Sequence, residues 1–390
     1  MKRLLVFLFS LSLYLCSCVF ASLGAQSRQD NATAHDASIA SVRRNLRQGG
    51  TAAECAMEML GRMAEQARAA GESLALVRSF ADDLADLVIQ GPPHLRGLAA
   101  HTLAQIGPPV RVAVPALTAL LHSEEAEWRR AAADSLALVL QNELNAAAPV
   151  FRPASRRNLV LAASAILPAV RAGLDDRCSE VRHRCLETIG LACTILTRLM
   201  DEPISNDDAS ARRALHVEYE ELRPLLSALH EQGPALERFL HHDDPETRIL
   251  THKVLEELGV ARNCWLRRCA ARQEAADEKV LGALLHEAVP RLAEELMHPD
   301  VRVRRSALDV LEMSGPLAMP ALPALTRALR DPDRFVRWSA VRTVGKLGPS
   351  AAPQTRADLM RLLNDPDVDL RKAAANALER LQLPKTEPRP

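Results

Sequence analysis

The clearest pattern along this chain is a helical spacing of apolar residues that recurs every 33 or 34 residues near the C-terminus. Within residues 319–348, leucines three and four positions apart predict a first helix with one apolar stripe. A second helix is predicted by a second stripe, which consists of Val336, Ala340, Val344 and Leu347. A helical hairpin of this size cannot bury its apolar face alone, so we expect such units to stack on one another.

A repeated phrase occupies the turn between the two predicted helices. Residues 331–337 read D-P-D-R-F-V-R, residues 365–371 read D-P-D-V-D-L-R, and residues 298–304 are a variant of the same phrase. We expect Asp331 to cap the second helix with its carboxylate, with Pro332 at the first helical position. The ends of second helices are predicted by Gly-Pro pairs, which lie at 107–108, 315–316 and 348–349.

The arginine that closes the phrase recurs after an apolar residue in several units, and some of these arginines have an acid six residues earlier. We predict a structural ladder of bidentate ion pairs that runs from unit to unit. Ordinary surface ion pairs are the alternative, and neither interpretation makes these residues catalytic. Leu250 stands where an arginine is expected, which puts a continuous ladder in doubt. The predicted members are Arg96, Arg129, Arg182, Arg304, Arg337, Arg371, Asp176, Asp331 and Asp365.

The phrase, the alanine-rich second helix and the L-G-P ending resemble HEAT repeats, particularly the short repeats of the phycobilisome-lyase-like group. The resemblance is strong over Val289–Leu381, fair over Ser73–Leu140 and weak between them. It implies an all-α fold, a right-handed α-solenoid of about seven to eight HEAT-like helical hairpins. No alternating strand pattern contradicts that class. In the stretched middle we expect longer helices and a loop near 201–210.

The first residues predict export. Met1-Lys2-Arg3 precedes an apolar run over 4–15, which is typical of a signal peptide cleaved after Ala21 or Ala25. Lipidation at Cys18 and an uncleaved anchor are alternatives. The expected location is periplasmic or extracellular, or attached to the envelope if lipidated. The predicted organisation is a signal peptide (1–25), a linker (26–35), a capping helix pair (36–72), HEAT-like repeats (73–142), divergent lengthened repeats (143–288), well-formed repeats (289–383) and a tail (384–390).

Candidate metal chemistry is sparse. His241, His242 and Asp243 form a weak candidate metal site, and the chemistry of a turn between helices explains them fully without a metal. No cysteine spacing suggests zinc or haem, so we expect no cofactor. Export would leave an even number of cysteines, which keeps a disulfide open as an interpretation.

The leading functional hypothesis is a scaffold that binds another protein on its concave surface, without catalysis. The net charge of zero argues against a nucleic-acid partner. From residue 296 onward, however, 16 Lys and Arg face 11 Asp and Glu, which favours an acidic protein partner. The candidate binding residues face away from the core on second helices; they are Arg305, Trp338, Arg342, Lys346, Lys372 and Arg380.

Two other functions remain open. Some HEAT-repeat proteins are diiron hydroxylases with repeated His-Glu pairs, and this chain has His230-Glu231 and His286-Glu287. Two pairs are fewer than that family carries, and both are predicted on first helices. A bilin-lyase-like enzyme is a further analogy without a supporting motif. A lipid-anchored organiser of the cell envelope would share the scaffold mechanism and differ in its tether at Cys18.

Overall fold

All regular structure in the described part of the chain is helical, as predicted. A computed structural model gives this structure, and the predicted signal peptide, linker and tail lie outside the residues that it describes. The described residues are 39–107, 110–147, 153–200, 220–271 and 279–382.

The chain divides into two compact units, residues 1–60 and 61–390. The described residues of the first unit form a helix over 39–48 and the beginning of the helix Gly50–Ala70. The second unit contains the remainder of that helix, a single turn at Ala75–Arg78 and the repeats.

Seven helical hairpins, numbered here as repeats 1 to 7, follow one another in the described residues of the second unit. Each has a first helix, a turn and a second helix, as the apolar pattern predicts. The seven second helices are Pro93–Ile106, Ala126–Ala147, Ser179–Met200, Pro245–Ala271, Val301–Ser314, Arg334–Leu347 and Val368–Gln382.

The first helices differ from the second helices in their prolines. Pro115, Pro168 and Pro290 lie inside first helices, where each removes a backbone hydrogen bond and favours a kink. In repeats 1 to 3 the first helices are Ala81–Gln90, Val110–Leu121 and Pro153–Leu174. In repeat 4 the first helix is divided into 220–230 and Gly233–Phe239, and in repeat 5 it is Lys279–Glu295. In repeats 6 and 7 it is Leu322–Ala328 and Ala352–Leu362, preceded by the 3-10 helices Gly315–Ala321 and Pro349–Ala351.

Stacking creates the core. Consecutive second helices pack side by side from repeat 1 to repeat 7, and each first helix packs against the second helix of its own repeat. The four residues of the predicted second stripe in repeat 6 are buried at this junction. The described part of the second unit is therefore an all-α solenoid.

One first helix also passes a test of length and composition for crossing a membrane, the stretch Ala154–Leu174 in repeat 3. Of its most apolar window, 56% is buried inside the structure. The helix packs against both helices of repeat 2 and the second helix of repeat 3. It has the surroundings of a core helix of the stack.

The stretched middle repeats have longer helices, as expected. The second helices of repeats 2, 3 and 4 contain 22, 22 and 27 residues, against 14 in repeats 5 and 6. The boundaries at 142/143 and 288/289 fall inside helices, because repeat 2 runs to Ala147 and repeat 5 begins at Lys279. The loop expected near 201–210 lies outside the described residues.

Candidate functional site

The turn of repeat 6 uses its two aspartates in succession. The Asp331 carboxylate accepts from the backbone N–H of Asp333 at 2.9 Å. Asp333 is the N-cap and accepts from the N–H groups of Phe335 and Val336, both at 3.0 Å. The expectation that Asp331 caps the helix is therefore wrong by two residues. Pro332 lies in the turn, and the first free helical N–H groups are within reach of Asp333 instead.

Helix ends follow the prediction more closely. Gly107, Gly315 and Gly348 end second helices with φ of 62°, 58° and 94°. Positive φ is strained for residues with a Cβ and open to glycine.

The closing arginine of the phrase joins its own turn to the next repeat. Arg304 donates through Nη1 to the carbonyl oxygens of His298 and Pro299 at 2.9 and 3.0 Å. Its Nε and Nη2 donate to both carboxylate oxygens of Asp331 at 2.9 and 3.0 Å. The two side chains are only 12% and 10% exposed, so this is a largely buried bidentate pair.

Two more arginines face an acid of the next repeat. Arg129 forms the same bidentate pair, donating to both oxygens of Asp176 at 2.6 and 3.1 Å. Arg337 makes a single, longer contact, 3.4 Å from its Nη2 to Asp365 Oδ2, and its Nε has no partner in the described structure. Burial alone would raise the pKa of Asp176. The hydrogen bonds that its carboxylate accepts from Arg129 and from the N–H of Cys178 outweigh burial, so this pKa lies below its ordinary value. The same Arg129–Asp176 hydrogen bond raises the pKa of Arg129.

The ladder is incomplete at three of the predicted positions. The Arg96 guanidinium lies over the Trp128 ring, 5.1 Å from its centroid, where an acid was expected. Arg182 donates to the carbonyl oxygens of Asp176 and Arg177, and no ion pair with a carboxylate is found for it among the described residues. Arg371 ends the series and donates to its own turn at the carbonyl oxygens of Asp365 and Pro366.

Sequence reasoning missed Arg248, which takes the ladder position in repeat 4. It donates to the carbonyl oxygen six residues earlier, that of His242, and to both carboxylate oxygens of Glu295 at 2.9 and 3.1 Å. The idea that Leu250 stands in the arginine's place was wrong by two residues. The signal was present, because Asp244 precedes Arg248 by four positions, as Asp333 precedes Arg337.

Histidine replaces the first aspartate in two turns. His242 Nδ1 accepts from the N–H of Asp244 at 3.1 Å, and His298 Nδ1 accepts from that of Asp300 at 3.0 Å. Each ring nitrogen takes the place of a carboxylate oxygen. A neutral imidazole cannot form an ion pair with the ladder arginine of the preceding repeat. Because His242 occupies this position in repeat 4, Arg182 of repeat 3 has no carboxylate to pair with there.

The weak metal candidates do not converge in the described structure. His242 is used in the turn, and the neighbouring His241 and Asp243 are exposed. No group of three or more possible ligands is found among the described residues. The two His-Glu pairs are exposed and lie in the first-helix parts of repeats 4 and 5.

Five cysteines of the described residues are free thiols. These are Cys55, Cys178, Cys185, Cys193 and Cys264, and the side chain of Cys269 is outside the described set. Burial raises the pKa of Cys185 to about 12, so this thiol is protonated and packs as a small apolar residue.

A groove of about 710 Å³ lies between the second helices of repeats 6 and 7. On the second helix of repeat 6 its lining runs from Arg334 to Lys346, a separation of 12 positions that corresponds to about 18 Å of helix. A Cβ at Gly345 would lie 3.3 Å from Ala377, which shows how closely the helices approach there. The apolar lining consists of Phe335, Trp338, Val341, Gly345, Ala373 and Ala377.

A cluster around Glu312 fixes one wall of the groove. Arg342 and Lys346 both contact its Oε1, at 2.5 and 2.7 Å, and the Glu312 side chain is only 3% exposed. The Arg342 guanidinium also lies over the Trp338 ring, 4.4 Å from the centroid. The side chains of Trp338, Arg342 and Lys346 are therefore held in place before any partner binds.

Lys372 and Arg380 form the opposite wall. Both are exposed, and neither has an ion pair with any described residue. Arg305 is the one predicted binding residue that does not line the groove. It pairs with Asp333 at 2.7 Å and lies 4.5 Å from the centroid of the Phe335 ring.

Residues 289–379 match the family model described as HEAT repeats, which confirms the resemblance carried by the turn phrase. The narrower phycobilisome-lyase-like group stays a prediction. No curated protein matches the chain.

Solved structures with some similarity are also repeat proteins. An archaeal HEAT-like repeats protein from Thermococcus onnurineus NA1 is 14% identical, with 77% of this chain and 98% of that one covered, at a TM-score of 0.44. Computationally designed armadillo repeat proteins for modular peptide recognition are 15% identical, covering 82% and 99%, at 0.37. Importin beta is 14% identical, covering 88% of this chain and 50% of importin beta, at 0.38.

Proposed function

We propose that this protein is an exported scaffold that binds an acidic segment of a protein partner in the groove between repeats 6 and 7, with no catalysis of its own. The observation that carries the proposal is the pair of exposed cations, Lys372 and Arg380, which face a fixed Trp338–Arg342 stack across an apolar floor.

The charge of the groove supports an acidic ligand. Its lining contains five basic residues and three acidic ones, a difference of two positive charges. Two of the acids are already engaged, since Glu312 contacts Arg342 and Lys346, and Asp367 pairs with Arg334 at 2.9 Å. The third acid, Asp369, forms no ion pair with any described residue, so the unpaired cations Lys372 and Arg380 outnumber the unpaired acids of the lining by one and can contact a carboxylate brought by the partner.

The shape of the groove supports an extended segment. About 18 Å of groove corresponds to five or six residues of extended chain at roughly 3.3 Å each. The small floor residues Gly345, Ala373 and Ala377 leave room for a backbone to approach. Trp338 offers a flat apolar surface for one side chain of the ligand.

Export completes the proposal and rests on the charged and apolar N-terminus. A scaffold of this kind would act in the periplasm or outside the cell, or on the envelope if Cys18 carries a lipid. Mass spectrometry of the mature N-terminus separates these cases. Cleavage after Ala21 or Ala25 gives a free chain, and a lipidated Cys18 gives the tethered organiser.

The groove is tested with two charge-reversal variants of the mature chain. Lys372→Glu with Arg380→Glu changes the groove, and Arg327→Glu with Arg356→Glu makes the same change on exposed first-helix positions. A pull-down from envelope extract, eluted with a glutamate-rich peptide of about ten residues, compares both with wild type. The expected result is a partner captured by wild type and by the first-helix variant, and lost by the groove variant.

Two results would contradict the proposal. Equal capture by both variants would move binding away from the groove. Stoichiometric iron or zinc in the purified chain, with no partner captured, would favour a metalloenzyme and return attention to His241, His242 and the His-Glu pairs.

A further inference from the structure

The second helix of repeat 7 ends the described stack with an arginine whose ladder partner is missing. Arg371 Nη1 donates to the carbonyl oxygens of Asp365 and Pro366 at 2.7 and 3.0 Å, as Arg304 Nη1 does to its own turn in repeat 5. Arg304 uses its Nε and Nη2 for a carboxylate of the next repeat. No partner for Nε or Nη2 of Arg371 is found within the described chain. A guanidinium fixed by its own turn is therefore able to bind one more carboxylate.

The same helix carries an acid in a position that binds cations inside the stack. Glu379 occupies in repeat 7 the position of Glu312 in repeat 5, since both lie eight residues after the ladder arginine of their helix. Glu312 is 3% exposed and contacts Arg342 and Lys346, two cations on the second helix of the next repeat. Glu379 is exposed and has no ion pair with any residue that the structure describes. The end of the stack thus presents an unpaired acid as well as an unpaired arginine.

Arg371, Ala375 and Glu379 lie on one side of the last helix, four positions apart. Val341 and Gly345 take the corresponding positions in repeat 6, where both are buried. A Cβ on Gly345 would lie 3.3 Å from the last helix, so this is the side that faces the next repeat. In repeat 7 the same side is exposed at Ala375 and Glu379, and none of its three residues lines the groove.

This side of the helix is complementary to a second copy of itself. Helical rise places Arg371 and Glu379 about 6 Å on either side of Ala375 along the helix axis. When two copies of the helix meet antiparallel, with a two-fold axis beside Ala375, each Arg371 lies opposite the Glu379 of the partner subunit. The small side chain of Ala375 lets the two helix axes approach to about 8 Å. Val368, which is 50% exposed, adds an apolar residue to the same side about two turns before Ala375.

A head-to-tail contact between copies does not offer the same match. Gln90 stands in repeat 1 where Asp331 stands in repeat 6, so the first repeat has no acid in that position for the Arg371 of another copy. Helix residues 61–70 also contact the second helix of repeat 1, where Gln105 Nε2 donates to Glu65 Oε1 at 3.3 Å. These observations favour a closed pair joined at its C-terminal ends over an open chain of copies.

We propose that this protein forms a symmetric dimer in which the last helices of two copies pack antiparallel, with the Arg371 of each paired to the Glu379 of the other. The inference is independent of the proposed function, because the surface lies outside the groove. The last helix is about 22 Å long, which gives a contact smaller than a standard protein interface, so we expect the dimer to form only as concentration rises.

Sedimentation velocity of the mature chain over about a hundredfold range of concentration tests for the dimer. Wild type is expected to pass from monomer to dimer within that range. Glu379→Arg places two arginines opposite each other on both sides of the two-fold axis and should weaken association at least about tenfold. Glu287→Arg makes the same change at an exposed helical position in repeat 5, and this control should associate as wild type does.

Mixing variants tests the charge pairing itself. Arg371→Glu carries two acids on this side and Glu379→Arg carries two arginines, so each alone should stay monomeric and an equimolar mixture should form a heterodimer. The double variant should recover the homodimer. Because Arg371→Glu removes donors from its own turn, circular dichroism first establishes that this variant is folded.

Ala375→Cys locates the two-fold axis without altering either charge. The two thiols meet at the axis, where the Cα atoms can approach to the roughly 4.4–6.8 Å that a disulfide requires. Mild oxidation is expected to give a covalent dimer in Ala375→Cys, and none beyond the wild-type level in Gln354→Cys, an exposed position on the first helix of the same repeat. Wild type is the baseline because the native Cys55 is also exposed.

Three results would overturn the inference. The first is a chain that stays monomeric over the whole range, with no excess covalent dimer in Ala375→Cys. The second is a dimer that appears only after removal of residues 384–390, which would mean that the tail covers this side. The third is unchanged association in Glu379→Arg, which would place the contact elsewhere. None of them affects the groove, whose peptide binding is measured separately.

Discussion

The turn edge and the second-helix face of the last repeats use the same residue types for different ends. At the turn edge, Arg304 is 12% exposed and donates to a carboxylate of the next repeat and to two carbonyls of its own turn. On the face, Lys372 is exposed and has no ion pair with a described residue. Arg342 is 41% exposed, and although it pairs with Glu312 of the preceding repeat, it contacts a tryptophan ring rather than backbone carbonyls. The difference teaches that burial and backbone contacts, more than residue type, separate arginines that hold repeats together from cations available to a ligand.

The largest expected effect comes from breaking a buried rung. Arg304→Ala leaves the Asp331 carboxylate buried without its cation and the carbonyls of His298 and Pro299 without their donor. We expect a loss of about 3–5 kcal/mol in the free energy of unfolding. Urea denaturation followed by circular dichroism measures it.

The matched control for that rung is Arg302→Ala, two residues away on the same helix. Arg302 pairs with Glu246 and Asp300 but is 56% exposed, so its loss should cost much less stability than the loss of Arg304. Equal effects of the two variants would contradict the distinction between buried rungs and surface pairs.

The next effect depends on pH and concerns His252, buried between the second helices of repeats 4 and 5. Its Nδ1 lies 2.7 Å from the Ser306 hydroxyl, and its Nε2 has no partner in the described structure. Burial, with the positive charge of Arg248, lowers its pKa from 6.5 to about 3. As the pH falls, the imidazole of His252 is therefore protonated in the unfolded chain before it is protonated in the folded one. The contribution of His252 to the free energy of unfolding is fully present above pH 6.5 and is lost as the pH falls toward 3.

At pH 5 the loss attributable to His252 is about 2 kcal/mol relative to neutral pH. Urea midpoints at pH 7.5 and pH 5 should therefore fall further apart in wild type than in His252→Gln. Acids with lowered pKa, such as Asp244 and Asp333, lose their contribution at lower pH and do not enter this window. The same pH dependence in both proteins would show that His252 is not the titrating group.

A smaller effect is expected from completing the ladder. His242 stands where other turns have an aspartate, and Arg182 in the preceding repeat has no carboxylate partner among the described residues. His242→Asp keeps an acceptor for the N–H of Asp244 and adds an anion. We expect a gain of about 1 kcal/mol or less in the free energy of unfolding at neutral pH.

The comparison in that case is His298→Asp. Arg248 already pairs with Glu295 next to that turn, so a second carboxylate should give no gain. A loss of stability in His242→Asp would mean that the histidine supplies more than a turn acceptor.

The sequence predicted the stack well because stacking depends on periodic burial, and periodicity is visible in one chain. The helical hairpins, the glycine ends and the buried stripe of repeat 6 all follow from residue spacing. Five of the six candidate binding residues line one groove for the same reason, since helical spacing fixes which side of a helix faces outward.

Partner choice within the turns could not be predicted in the same way. Asp331 and Asp333 are chemically alike, and the position of the first free N–H groups decided which one caps the helix. The Arg248–Glu295 pair crosses 47 residues, and Trp128 replaces an acid beneath Arg96. Such pairings depend on how two repeats meet, which no local pattern records.

The measurement that tests the account most directly joins stability and binding in one variant, Lys372→Glu with Arg380→Glu. Exposed side chains without ion pairs contribute little to folding, so its free energy of unfolding, measured by urea denaturation, should match that of wild type within about 0.5 kcal/mol. Its affinity for an acidic peptide should fall at least about tenfold, while Arg327→Glu with Arg356→Glu binds as wild type. Unchanged affinity in the folded groove variant would contradict the claim that this face of repeats 6 and 7 is the binding site.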